Sequence, residues 1–156
     1  VDTIGLELSY GAKLLEYLKV DISTTLQKSD NSRSGFKDID LEYSPKVLAY
    51  LNLNYVVFDG LDVNLSSRYI SAMKTLWSGT ADEGGRIGKE QPGYSVWSLA
   101  ARWQQSIGDN ELTLSLTVDN LFDKSYRLPT TSFINWADQG LPGDERTLQI
   151  ASNVRF

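Results

Sequence analysis

The residue types that most often carry out chemistry are missing from this sequence. Its 156 residues include no histidine and no cysteine. Without an imidazole or a thiol, the chain has no Ser-His-Asp triad, no thiolate nucleophile and no metal site built from histidine or cysteine ligands. We therefore expect no enzymatic activity, and we assign to the chain no catalytic residue, no metal ligand and no cofactor.

Two stretches approach the spacing of ion- or phosphate-binding loops, and both depart from it. "DNSRSGFKDIDLE" starts like a calcium loop, but its twelfth position is Leu41 instead of a glutamate. "GGRIGKE" has three residues between Gly84 and Gly88 where a phosphate loop has four, and Glu90 replaces the required Ser or Thr. We interpret both stretches as exposed loops.

Composition excludes further classes of protein. A net charge of −5 argues against a partner bound through its phosphates, so no nucleic acid is expected. Aromatic residues make up 11% of the chain, which is too many for a disordered segment. No apolar run reaches the roughly 18 residues of a transmembrane helix. The mean hydropathy of −0.28 resembles that of a soluble protein, but a membrane β-barrel gives the same value because every second residue of its strands is polar.

The dominant pattern is an alternation of apolar and polar residues, and it predicts an all-β fold. The clearest case is Leu112, Leu114, Leu116 and Val118, which alternate with polar residues. Seven segments alternate in this way: 4–10, 18–26, 47–57, 61–69, 97–103, 112–118 and 148–156. Most have about the 9–11 residues that a tilted strand needs to cross a bilayer. Three leucines near "GAKLLEYLKV" also fit a helix, but the flanking alternation favours a short turn, which we place around Gly11.

The predicted connections alternate between short and long. Phe58–Gly60 and Gly108–Asn110 are turn signals, whereas the connections after the second, fourth and sixth strands are long. This alternation is typical of a transmembrane antiparallel β-barrel in the outer membrane, with tight periplasmic turns and long extracellular loops. Two girdles of aromatic residues are expected where the barrel meets the lipids. The girdle near the short turns comprises Tyr10, Tyr17, Tyr55, Phe58, Trp103 and Phe156, and the girdle near the long loops comprises Tyr69, Tyr94 and Trp97.

The C-terminal residues resemble those of a known family. "LTLSLTVDNLFDKSY", followed by Pro-Gly, an Arg and a terminal Phe, resembles the C-terminal end of TonB-dependent outer-membrane receptors. Residues of this signature are Asn120, Leu121, Phe122, Asp123, Lys124, Tyr126, Pro142, Gly143, Arg146 and Phe156. Upstream, "PGYSVWSLAARWQ" and "LEYSPKVLAYLNLNY" are similar to earlier strands of the family. The chain departs from the family at "PGDER", where Pro-Gly-Arg is more usual. Independently of the family, Asn120 and Asp123 are residue types that satisfy backbone groups where a strand ends.

The resemblance implies the rest of the architecture and its partners. The family barrel has 22 strands and a plugged lumen, so residues 1–156 are expected to be the C-terminal portion of the barrel, about seven strands of it. The plug domain, the remaining strands and the N-terminal segment that contacts TonB are expected outside this chain. The terminal Phe156 is expected to contact the barrel assembly machinery. The implied function is import of a scarce nutrient complex, most of all a ferric siderophore, with haem or cobalamin as alternatives.

The long connections contain the residue types that would bind such a ligand. Arginines can pair with carboxylate or catecholate oxygens, and tryptophans can cover an apolar surface. The candidate ligand-binding residues are Trp77, Arg86, Tyr94, Arg127, Asn135 and Trp136. These side chains could instead pack the loops together or bind lipopolysaccharide phosphates.

Three other classes of protein remain open at this point. An autonomous small outer-membrane barrel with a structural or adhesion role would need an eighth strand. An outer-membrane hydrolase would lack the histidine that usually activates its nucleophile. A soluble lipocalin-like carrier would direct its apolar face inward.

Overall fold

The computed structural model describes residues 1–30, 41–76, 87–129 and 140–156. Strands account for all the regular secondary structure in these ranges. They are β1 (Asp2–Leu15), β2 (Leu18–Asp30), β3 (Val47–Phe58), β4 (Leu61–Ile70), β5 (Met73–Leu76), β6 (Ile87–Gln91), β7 (Tyr94–Ile107), β8 (Asn110–Asp119), β9 (Arg127–Leu128), β10 (Leu141–Pro142) and β11 (Thr147–Arg155). The described part of the chain has no helix with the length and apolarity needed to cross a membrane.

Seven long strands form one antiparallel sheet in the order β1-β2-β3-β4-β7-β8-β11. Each long strand pairs with the next long strand of the chain, which confirms the predicted all-β fold and its seven strands. The four short strands were not predicted. They pair within the long connections, β5 with β6 and β9 with β10, and they are too short to show an alternating pattern.

The register of the sheet collects the alternating apolar residues on one face. Leu65 lies opposite Leu53 on one side and Leu99 on the other. Leu99 in turn lies opposite Val118, which lies opposite Leu148. We call this side the apolar face. The other side, the polar face, carries pairs such as Asp62 opposite Arg102 in neighbouring strands.

The apolar face is exposed, and the sheet has almost no core. Ile4 and Ile150 are each 76% exposed, and Leu148 is 64% exposed. Among the residues whose burial is described, the buried hydrophobic ones are Val20, Met73 and Tyr94. A chain with 41% hydrophobic residues therefore forms a single layer here, and its apolar face requires cover from outside the described residues.

Three two-residue turns lie at the same end of the sheet, which we call the short-turn end. They are Glu16–Tyr17, Asp59–Gly60 and Gly108–Asp109. The predictions for the second and third turns are confirmed, but the prediction for the first is wrong, because Gly11 lies within β1 opposite Asp21. Ala12, opposite Val20, continues the apolar face of β1 beyond that glycine. Tyr10 consequently lies five residues before the end of β1 and not beside the turn.

Aromatic side chains lie at both ends of the apolar face. At the short-turn end the rings of Tyr17 and Tyr55 make an edge-to-face contact, with centroids 5.5 Å apart. At the opposite end Tyr69 and Trp97 lie on the apolar face. Tyr69 is an even number of residues from Leu65 in β4, and Trp97 is an even number of residues from Leu99 in β7. The assignment of Tyr94 to this girdle is wrong. Tyr94 lies opposite Ile70 and is an odd number of residues from Leu99, so it is on the polar face, where its side chain is buried.

Candidate functional site

The candidate site lies at the end of the sheet opposite the short turns, which we call the long-connection end. Three connections leave the sheet there, at 31–46, 71–93 and 120–146. The last one begins at Asn120, directly after β8. Asn120 has a φ of 49° and only 3% exposure. Asparagine is among the few residue types that adopt this left-handed conformation at low cost.

The side chain of Asn120 joins three backbone groups. Its Nδ2 donates to the carbonyl oxygens of Lys124, at 3.0 Å, and Asp144, at 2.9 Å. Its Oδ1 accepts a hydrogen bond from the N–H of Lys124 at 2.8 Å. The amide therefore closes the turn that follows β8 and ties it to the segment that leads into β11.

Asp123 makes a second set of hydrogen bonds in this turn. It also has a left-handed backbone, with a φ of 51°, and its N–H donates to the Asn120 carbonyl at 2.8 Å. Its Oδ1 accepts from the N–H of Arg146 at 3.2 Å. The prediction that Asn120 and Asp123 satisfy backbone groups at the strand exit is confirmed.

The two apolar residues of the signature contact β7. The N–H of Leu121 donates to the carbonyl of Trp97 at 2.7 Å, which extends the pairing of β8 with β7. The ring of Phe122 meets Trp97 edge to face, with centroids 6.2 Å apart, and stays 68% exposed. Phe122 therefore joins the aromatic residues at this end of the apolar face.

The position of Tyr126 explains why residue 143, in the Pro-Gly pair, is a glycine. The Tyr126 ring packs on Tyr94 with centroids 4.7 Å apart. A Cβ at Gly143 would overlap the Tyr126 ring, and the Gly143 N–H donates to the Tyr126 carbonyl at 2.9 Å. Tyr94 is 4% exposed, so it supports Tyr126 and has little surface of its own for a ligand.

Arg127, the next residue, is exposed and fixed at one nitrogen. Its Nη1 donates to the carbonyl of Gly140 at 3.0 Å, across the β9–β10 hairpin. Its own carbonyl accepts a hydrogen bond from Nε2 of Gln91, which lies at the end of β6. The structure describes two of the candidate ligand-binding residues, Tyr94 and Arg127, and of these two only Arg127 is exposed.

A cavity of about 260 Å³ opens on the polar face below this turn. Three acidic residues (Asp119, Asp144 and Glu145) line it, together with Arg68 and Tyr126. The groups around the cavity can form hydrogen bonds and ion pairs.

Four of the predicted ligand-binding residues lie outside the described ranges: Trp77, Arg86, Asn135 and Trp136. Most of the calcium-loop-like stretch lies outside them too. Residues 87–90 belong to β6, so the interpretation of this part of "GGRIGKE" as a loop is wrong. Gln91 and Gly140 were not predicted to take part, and no local sequence signal marks them, because their contacts join distant segments.

Comparison with known proteins agrees with the sheet. The family described as "TonB dependent receptor-like, beta-barrel" matches residues 1–121. No match was found among curated protein sequences.

Several solved receptors share the fold of the chain. BauA, the ferric preacinetobactin receptor from Acinetobacter baumannii, has a TM-score of 0.74 and 19% identity over 97% of this chain and 21% of its own. The closed form of the ferric-catecholate import receptor Fiu from E. coli K12 has a TM-score of 0.71 and 23% identity over 95% and 20%. The ferripyoverdine receptor of the Pseudomonas aeruginosa outer membrane, bound to ferripyoverdine, has a TM-score of 0.69 and 22% identity over 96% and 19%.

The chain thus spans about a fifth of the length of these receptors. The family match covers more than half of the chain, and the seven long strands pair in chain order, as the strands of a barrel wall do. The family that the C-terminal residues resemble is therefore confirmed for the chain, on a match that ends at residue 121. This chain belongs to the family of TonB-dependent receptor β-barrels.

Proposed function

We propose that this chain is the C-terminal portion of the barrel of an outer-membrane receptor that binds a ferric siderophore and imports it. Energy for import comes through TonB, which contacts an N-terminal segment of the complete receptor. The plug domain and the remaining strands complete the structure around the polar face. No covalent chemistry is required of the chain.

The single observation that carries this proposal is the exposed apolar face of a one-layer sheet. Large apolar residues of this face are exposed in β1, β2, β8 and β11, as at Leu26 (43%) and Ile150 (76%), and mostly half-buried in the strands between them. A soluble domain would bury this face, whereas a membrane barrel directs it to the lipids. The aromatic side chains at both ends of the face fit the two interfaces of an outer membrane.

The proposed ligand class is supported by the fold and by one exposed cation. The three receptors described above are named for ferric siderophores or ferric catecholates. Arg127 is exposed at the long-connection end, where a guanidinium can pair with the carboxylate or catecholate oxygens of such a complex. The other candidate ligand contacts, at Trp77, Arg86, Asn135 and Trp136, belong to the same proposal.

Iron uptake by the complete receptor tests the proposal. Cells that lack their other siderophore receptors would express it and be offered ⁵⁵Fe bound to catecholate, hydroxamate and carboxylate siderophores, with haemin and cobalamin as comparison substrates. We expect TonB-dependent uptake of at least one ferric siderophore. Uptake of haemin or cobalamin alone, or no uptake of any of these, would overturn the proposed ligand class.

Arg127→Gln tests the proposed contact within that experiment. We expect affinity for the transported siderophore to fall about tenfold, as for loss of a hydrogen bond to a charged group. Lys124→Gln is the matched control, because Lys124 is an exposed cation of the same connection whose recorded contacts use only its backbone. Equal losses in the two variants would point to a general effect of charge.

Phe156 tests the proposed contact with the barrel assembly machinery. Phe156 is 95% exposed at the short-turn end, so its removal costs little packing within the chain. We expect Phe156→Ser to lower the amount of receptor in the outer membrane at equal synthesis, as measured by membrane fractionation. Val154→Ser, one apolar position earlier in β11, serves as the control.

A further inference from the structure

Gln91 stands out as a polar side chain with no exposed surface. It has 0% exposure and is the largest fully buried side chain among the described residues. It lies at the last position of β6, within the 71–93 connection. A buried amide normally makes hydrogen bonds, so its partners indicate what the side chain does.

The partner of Gln91 belongs to the other long connection. Its Nε2 donates to the carbonyl of Arg127, 36 residues further along the chain. Arg127 is the first residue of β9, in the 120–146 connection. Within the described residues its Oε1 accepts no hydrogen bond, so the amide acts through its Nε2 donor. One side chain thus joins two connections that leave the sheet from different strands.

The backbone of the second connection is packed closely around this amide. Gly140 has a φ of 95°, and a Cβ there would lie 3.2 Å from Gln91 Oε1 and would overlap the Leu128 carbonyl. Only glycine fits that conformation without strain. The Gly140 carbonyl, in turn, accepts the hydrogen bond from the Arg127 guanidinium. Gln91 therefore bonds to β9 and lies beside Gly140, the residue before β10, in the hairpin that orients Arg127.

Strand pairing in this hairpin is short within the described residues. β9 and β10 contain two residues each and pair at Leu128–Leu141 and Arg127–Pro142, and the Gly143 N–H donates to the Tyr126 carbonyl beside them. A two-stranded ladder of that length is not stable on its own in water. A second contact lies nearby: Tyr94, the first residue of β7, packs on Tyr126, the residue before Arg127.

We propose that Gln91 is a positioning residue that holds the β9–β10 hairpin against the 71–93 connection, so that the two connections form one unit and the Arg127 guanidinium keeps one orientation. The effect on a ligand rests on the proposed function, in which Arg127 contacts the siderophore. The effect on the hairpin does not depend on it. An ordered guanidinium loses less side-chain freedom on binding, which favours affinity.

Two substitutions at Gln91 separate hydrogen bonding from packing. Gln91→Met keeps an unbranched side chain of similar length but makes no hydrogen bond. Gln91→Glu keeps the shape and loses the Nε2 donor. Glu90→Gln is the matched control one residue away, since it breaks the Lys74–Glu90 ion pair of 3.1 Å, which lies within a single connection.

Hydrogen exchange of the complete receptor tests the structural part. We expect both Gln91 variants to raise the exchange of amides in 126–129 and 140–143 by at least about tenfold, while Glu90→Gln leaves them unchanged, as local opening should follow from a lost tertiary contact. If neither Gln91 variant changes exchange in these segments, or the control changes it equally, the proposal is overturned.

A double-mutant cycle with Arg127→Ala tests the effect on the ligand. This substitution removes the guanidinium but keeps the carbonyl that Gln91 binds. We expect Gln91→Met alone to weaken siderophore binding about two- to tenfold, in the range for one immobilised side chain, and to have no further effect when Arg127 is alanine. An undiminished effect in that background would overturn the role through Arg127.

The two readouts keep the two proposals distinguishable. If Arg127→Ala leaves binding unchanged while Gln91→Met raises hairpin exchange, the positioning role of Gln91 is upheld. The ligand contact of Arg127 in the proposed function is then the part that fails.

Discussion

The two ends of the sheet are held together in different ways. At the short-turn end, two-residue turns join neighbouring strands, and the hydrogen bonds between turn residues and other strands use the backbone. The N–H of Gln104, for example, donates to the Gly60 carbonyl at 2.7 Å. At the long-connection end, side chains bond to the backbone of distant segments, as Asn120 and Gln91 do.

Burial shows the same contrast. The buried polar side chains among the described residues are Ser29, Ser67, Gln91 and Asn120. All four lie in the half of the sheet, or in the connections, toward the long-connection end. Hydrogen bonds from buried side chains to distant segments thus mark the long-connection end, whereas the described turns of the short-turn end are held through the backbone. Substitutions should therefore act through different mechanisms at the two ends, and the following predictions test this difference in order of expected effect.

Asn120→Ala should have the largest effect. It removes three hydrogen bonds at a buried position and places alanine at a φ of 49°. We expect the local opening free energy around residues 121–124 to fall by about 2–4 kcal/mol, from unpaired backbone groups and left-handed strain. Hydrogen exchange of the complete receptor measures it.

Asn120→Gly is the matched variant. Glycine tolerates the left-handed backbone, so it removes the hydrogen bonds without the strain and should cost about 1–2 kcal/mol less than alanine. Equal effects of the two variants would show that side-chain hydrogen bonds, not conformation, account for the whole loss. A negligible effect of both would remove the contrast between the ends.

Gly60→Ala should give the next largest effect, at the short-turn end. Gly60 has a φ of 89°, and a Cβ there would overlap the Gln104 carbonyl. We expect a loss of about 1–3 kcal/mol in stability of the adjoining strand ends, from backbone strain. Gly108→Ala is the control, with a φ of 61° and open space around the added Cβ. Gly108→Ala should lower stability less than Gly60→Ala does. A larger loss from Gly108→Ala would contradict the close approach of Gly60 to the Gln104 carbonyl in β7.

Phe122→Ala should have a smaller effect. The ring makes one edge-to-face contact with Trp97 and is largely exposed. Beyond the apolar area lost, the ring pair should contribute about 0.5–1.5 kcal/mol. Trp97 fluorescence in lipid vesicles provides the readout, since the contact lies at the lipid interface in the proposed function. An unchanged emission spectrum would argue against this contact in the membrane.

Two exposed ion pairs should contribute least and contribute alike. Lys19–Asp21 lies near the short-turn end and Lys28–Asp30 near the long-connection end, at 3.1 and 3.0 Å. Replacing either lysine by glutamine should change stability by no more than about 1 kcal/mol, and less at high salt. A large effect at one end only would show that charge also distinguishes the two ends.

The sequence predicts the long strands better than their ends. An alternation maintained over seven or more residues fixes which residues share a face, and a slip by one residue would reverse the whole strand. The first turn was misplaced because Gly11 resembles a turn residue. In the structure it allows a close approach of Asp21, whose Oδ1 would lie 2.9 Å from an added Cβ.

The candidate site was only partly predictable. Resemblance and residue type identified Asn120 and Asp123 as the exit of β8. Parity, however, would place Asn120 on the apolar face, and its left-handed backbone reverses this so that it lines the polar cavity. The burial of Gln91 and the glycine requirement at residues 140 and 143 depend on segments distant in sequence, which no local pattern contains.

The amide of Asn120 also has a consequence for how this region can vary in length. Both of its atoms bond to the backbone of Lys124, so one side chain fixes the number of residues between them. An insertion within residues 121–123 would separate these partners, and an insertion before Phe122 would also change the side of the sheet on which Phe122 lies. Related receptors should therefore differ in length beyond Tyr126 and keep a constant number of residues before it.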